Sequence, residues 1–169
     1  MKKSVLILAG MFVMMLSFNA NAQTASASAN AVASARIISP LEIMKDVDLA
    51  FGNIAAGTTD GTVTIATDGS RTGNGGITLI TAGNVSNAAQ FSILGYPSAT
   101  YTIALPSSII IEYNGYQMTV DDFVSSLGSV STLDAQGEAG LEVGATLHVN
   151  ANQEPGLYTG SFDVTVAYN

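Results

Sequence analysis

Two stretches in the last third of the chain alternate apolar and polar residues with a period of two. Leu141, Val143, Ala145, Leu147 and Val149 point one way, and Glu142, Thr146 and His148 the other. Tyr158, Phe162, Val164, Val166 and Tyr168 alternate in the same way with Thr159, Ser161, Asp163, Thr165 and Asn169. Successive side chains of a strand point to opposite faces, so each stretch reads as a strand with one buried face. Between and before them the same pattern recurs in shorter pieces. Val47, Leu49 and Phe51 alternate with Asp46, Asp48 and Ala50, and Val63 and Ile65 share a face of residues 62–66. Residues 77–80, 91–94 and 101–105 read as short strands, and Asn114-Gly115 as a hairpin turn joining 109–113 to 116–120. Asp60-Gly61 and Asp68-Gly69 read as turns. Residues 69–76, with four glycines, read as a loop, and 129–137 as a polar connection. Residues 121–127 fit one helical turn or an irregular strand. Short strands separated by turns, with no long helical pattern, predict an all-β, immunoglobulin-like antiparallel β-sandwich.

Composition narrows the chemistry. The chain of 169 residues has no cysteine and no tryptophan, and its only histidine is His148. The fold must therefore hold without disulfides, and thiol nucleophiles and thiolate metal sites are excluded. Thirteen carboxylates against five cations give a net charge of −8, which repels phosphate backbones and anionic lipid. Nucleic acid is thus not an expected partner. His148 sits mid-strand on a polar face, with no glycine-rich elbow beside a serine, so it reads as a solvated histidine. Asp46 with Asp48, and Asp121 with Asp122, are carboxylate pairs of the kind any solvated strand face carries. Asp60, Asp68 and the glycine-rich stretch offer oxygens for calcium, but no calcium-loop motif is present. No catalytic residue, metal site or cofactor is expected. A mean hydropathy of +0.36 argues against a disordered acidic chain.

Residues 1–22 read as a secretory leader: Lys2-Lys3, an apolar run over 5–18, then Ala20-Asn21-Ala22. The run is too short to span a bilayer, which takes about 20 apolar residues. Without the leader, 3 cations face 13 carboxylates, a net of −10. Residues 23–35 form a separate extension, with Ala25, Ala27, Ala29, Ala31, Ala33 and Ala35 at alternate positions. This is the pattern of a strand with a small-residue face, although a flexible Ala/Ser spacer has the same composition. The sandwich would then occupy 36–169. Its first strand, with Ile37, Leu41 and Ile43 on one face, carries Pro40, which confines it to an edge. Its last strand runs to Asn169. If these two strands do not pair, they leave an apolar groove that templates another chain's strand. The extension spans roughly 43 Å at about 3.3 Å per residue, enough to fill it.

The run from Thr24 to Val32, followed by Ala35-Arg36-Ile37-Ile38-Ser39-Pro40-Leu41-Glu42-Ile43, resembles the start of chaperone–usher fibre subunits of the capsular-antigen type. Pro155-Gly156-Leu157-Tyr158-Thr159-Gly160-Ser161-Phe162-Asp163-Val164-Thr165-Val166 resembles the final strand of those subunits and of spore-coat-protein-U-type secreted proteins. Asp48-Leu49-Ala50-Phe51-Gly52 after a Pro-Leu-x-Ile stretch is similar to an uncharacterised bacterial family of secreted β-sandwich proteins. The resemblance implies a sandwich lacking its last strand and completed by donor-strand exchange into a homopolymeric fimbria or pilus-like fibre at the cell surface. It also implies a periplasmic chaperone and an outer-membrane usher as partners. The donor face would be the six alanines. The acceptor groove would be lined by Ile37, Leu41, Ile43, Phe162, Val164, Val166 and Tyr168. The contrasting expectation is a secreted monomeric module binding glycan or protein through Tyr96, Tyr101, Tyr113 and Tyr116.

Overall fold

The computed structural model describes residues 26–83 and 86–169. The expected leader and Ala25 lie outside the described residues. The chain divides into two units, Met1–Arg36 and Ile37–Asn169. In the first, residues 26–36 carry neither strand nor helix, and their side chains are exposed.

The second unit is an all-β, antiparallel sandwich with ten strands and no helix among the described residues. They are β1 (Glu42–Val47), β2 (Asn53–Ile65), β3 (Arg71–Ile80), β4 (Ala89–Leu94), β5 (Thr100–Ala104), β6 (Ser108–Tyr113), β7 (Tyr116–Ser125), β8 (Val130–Thr132), β9 (Glu138–Val149) and β10 (Thr165–Tyr168). One sheet of seven strands has the order β1-β4-β9-β2-β3, with β7 also paired to β9 and β6 to β7. The other has three strands, β10-β5-β8.

The alternation in β9 organises the interior. Leu141, Val143, Ala145, Leu147 and Val149 are all buried, whereas Thr146 and His148 face outward. Leu141 and Val143 join Ala89, Ile93, Tyr101, Ile103 and Leu133 in a cluster between the two sheets. Ala145, Leu147 and Val149 join Val63, Met118 and Val120 in a second. Each fully buried Val, Leu or Ile contributes about 1.5–3 kcal/mol of transfer free energy, so this one strand supplies much of what holds the sheets together.

The Asn114-Gly115 hairpin forms as the sequence predicts, with φ of 48° and 86° at the two residues, a primed turn that suits the twist of β6 and β7. Asp68-Gly69 also turns the chain. The Ser70 hydroxyl, and then its N–H, hold the Asp68 carboxyl below the ordinary range. Three sequence expectations need correction. Residues 71–76 are not a loop but the first half of β3. Asp60-Gly61 is not a turn but lies inside β2, where Asp60 Oδ1 accepts the Ala151 N–H at 2.7 Å. The cause is shared. Pairing of β2 with β3 slips between Ala56 and Gly61, and the bulged backbone of Thr59 and Asp60 lies where a Cβ on Gly75 or Gly76 would sit. The glycines therefore mark a close backbone approach within a ladder. Of the two readings of residues 121–127 the irregular strand holds: residues 121–125 continue β7 through a bulge, with Asp122 at φ 49°. The polar connection over 129–137 contains β8.

Candidate functional site

The first and last strands end up in different sheets. Strand β1 pairs with β4, and β10 pairs with β5; each has one neighbour among the described residues. No ladder joins β1 to β10. Their other edges carry no ladder among the described residues.

The strand expected over 158–168 is only partly laddered. Thr159 makes an isolated bridge with Glu112, and the β10 ladder begins at Thr165. Between them, residues 160–164 belong to no ladder, although residues 161–164 alternate, with Phe162 and Val164 turned in. The backbone direction of β10 follows from its end: the Asn169 N–H donates to Thr100 O at 3.3 Å. Main-chain groups of a strand alternate sides, so the N–H groups of Val164, Val166 and Tyr168 point away from β5 and into the open edge.

Of the side chains expected to line an acceptor, Leu41, Ile43, Phe162, Val164, Val166 and Tyr168 are half-buried against the cluster that holds Ile93, Tyr101, Leu141 and Val143. Ile37, 98% exposed and ahead of β1, does not join them. The donor alanines among the described residues, Ala27, Ala29, Ala31, Ala33 and Ala35, have exposed side chains and no strand.

Two features of this edge escaped the sequence. The first is a pin at one end. The Tyr168 hydroxyl accepts the Tyr96 N–H at 2.6 Å and donates to Ser39 O at 3.1 Å, tying the end of β10 to the residues just before β1. The available signal was a Tyr in an apolar register, because a buried phenol needs a polar partner. The second is an aromatic cluster at the other end. Phe162 meets Phe91 edge-on at 6.4 Å between ring centroids and Phe123 at 5.0 Å. Phe91 is the Cα partner of Lys45 in β1. Tyr168 thus lies beside the start of β1 and Phe162 near Lys45, so the two edges run in opposite directions. Six residues separate the contacts on either edge, about 20 Å at 3.3 Å per residue.

The remaining polar clusters are solvated. His148 Nε2 lies 2.7 Å from Asp121 Oδ1 across β9 and β7, and the shallow depression beside it is lined by Asp60, Thr62, Asn74 and Asn150, with no serine. Asp46 accepts from the Ser92 hydroxyl at 2.6 Å, and Asp48 is ion-paired with Lys45 at 2.5 Å, so the two carboxylates serve separate partners. Among the described residues no group of three or more His, Asp or Glu side chains converges on a metal position. The tyrosine surface needs correction: Tyr101 is fully buried in the core, and Tyr113 packs on Tyr158 at 5.7 Å between centroids. No helix among the described residues is long and apolar enough to cross a membrane.

Fold and edge together define a class, the antiparallel β-sandwich whose first and last strands lie in different sheets and do not pair with each other. Residues 41–168 match the family model described as a domain of unknown function, DUF4402, and the chain belongs to that family. The match begins at the first half-buried residue of the open edge, Leu41, and ends at Tyr168. No curated protein and no solved structure matches the chain.

Proposed function

We propose that the chain is a structural subunit of an extracellular fibre, in which the alternating segment 23–35 of one copy adds as a strand to the open edge of the next. The observation that carries this reading is the segment 161–164, alternating but without a ladder, which leads into β10, where the amides of Val164, Val166 and Tyr168 face away from β5. Added strands gain affinity from main-chain hydrogen bonds and register from alternate side chains. A tail entering the next copy is a heterologous contact that does not close, and repetition makes a fibre. A periplasmic chaperone and an outer-membrane usher are the partners this reading assigns, covering the edge in transit and delivering subunits to the cell surface.

The test compares the full chain with a variant lacking residues 23–34, each produced in a bacterial periplasm with a chaperone and usher supplied. Polymers seen by electron microscopy and size-exclusion chromatography should be present for the full chain and lost on deletion. A full chain that stays monomeric under these conditions sinks the proposal and favours a secreted monomeric binding module. The burial of Tyr101 removes one of the four tyrosines that the alternative relies on.

A further inference from the structure

Resting on the fibre reading, we infer that this edge admits only a strand whose inward side chains are small, and that the alanine face of residues 27–35 in a second copy is its matched occupant. The usual way to strengthen an added strand is to bury large apolar side chains in the acceptor. Here the acceptor's own side chains already occupy that place. Phe162 projects inward from the ladder-free stretch and touches Phe91 and Phe123, which reach it from β4 and β7. Leu41, Ile43, Val164, Val166 and the Tyr168 ring fill the rest of the boundary, each half-buried on the core. Two surface depressions, one beside His148 and one beside Met44, Ser92 and Asp134, lie elsewhere and are lined by none of these residues. An incoming strand therefore meets a surface of large side chains already packed on the core. Alanine gives it close main-chain approach, whereas leucine at the same position overpacks it.

Length and charge favour the same occupant. The edge between the Tyr168 pin and the Phe162 cluster takes about six residues, hence three or four inward side chains. Residues 27–35 supply that many at alternate positions and carry no charge. Glu42, Asp46 and Asp163 flank the edge against Lys45 alone, so an uncharged strand meets less repulsion than an acidic one.

The experiment measures assembly of the full chain, with chaperone and usher as above, for wild type, Ala29→Leu, Ala31→Leu, and each of these combined with Phe162→Ala. Substitutions in the tail leave every strand of the sandwich unaltered. Each single leucine should reduce polymer yield by about tenfold or more, and Phe162→Ala should restore it in the combination. Should Phe162→Ala fail to fold, Phe162→Leu is the second acceptor variant and should restore part of the yield. Leucine variants that assemble as well as wild type overturn the size selection while leaving the fibre reading intact. A wild type that does not assemble overturns both, as does assembly that survives deletion of 23–34, which would mean direct pairing of β10 edges between copies.

Discussion

Among the described residues, Tyr101 is the one side chain whose chemistry and position disagree. Its ring is fully buried between the sheets, but its hydroxyl has no hydrogen-bond partner among the described residues. An unsatisfied buried hydroxyl costs about 1–3 kcal/mol, while its ring earns the burial of a large aromatic. Tyr101→Phe keeps the ring and removes the cost, so chemical denaturation should give unchanged stability or a gain of about 1 kcal/mol. A loss of that size would mean that the hydroxyl is satisfied. Gly52 is the opposite case, where position and residue type agree completely. It sits at φ 74°, and a Cβ there would collide with the Arg71 guanidinium. Arg71 donates to the carbonyls of Phe51 at 2.9 Å and Ile80 at 2.9 Å, tying the start of β3 to its far end and to the residues just before β2. Gly52→Ala therefore adds backbone strain and displaces these bonds, and should lower stability by about 2–3 kcal/mol in the same measurement. If the loss stays below about 0.5 kcal/mol, the guanidinium is free to move aside.

At the level of elements, the edge of β10 has a direct spectroscopic signature. The amides of Val164, Val166 and Tyr168 point away from β5, whereas those of Thr165 and Ala167 lie within its ladder. In the unassembled protein, hydrogen exchange should be fast at Val164 and Val166 and slow at Ala167; on assembly the first two should slow by at least about a hundredfold. Tyr168 is a weaker probe, because its side chain is pinned at Tyr96 and Ser39. Equal protection at all these positions before assembly would show that the edge is already covered. The same element shows where the sequence was readable and where it was not. Period two correctly turned Phe162, Val164, Val166 and Tyr168 inward, because alternation reports only which face is buried. It is silent on pairing, so the gap in the ladder over 160–164 was invisible. The glycines of β3 were misread for a related reason: composition signals freedom of the backbone, and only the partner strand decides whether that freedom makes a loop or a close approach.

On the scale of the whole molecule, the β-sandwich was legible because its core is built by β9 and strands like it, each with a buried set spaced by two. The placement of β1 and β10 in opposite sheets was not, since long-range pairing depends on contacts that local patterns do not encode. Net charge adds a constraint on how copies meet. The full chain carries −8, and −10 without residues 1–22, while residues 26–35 have no charged side chain. For copies joined through that segment, repulsion acts on the approach, and the strand contact itself is apolar and main-chain in nature. Raising ionic strength from about 0.01 M to about 0.15 M shortens the screening length from about 30 Å to about 8 Å. Assembly followed by light scattering should therefore accelerate severalfold over that range, whereas the rate at which preformed polymers dissolve on dilution should hardly change. Acceleration of both steps would mean that charged groups lie inside the contact. Slower assembly at higher salt would mean that opposite charges draw the copies together, and a neutral strand laid along an acidic edge cannot produce that behaviour.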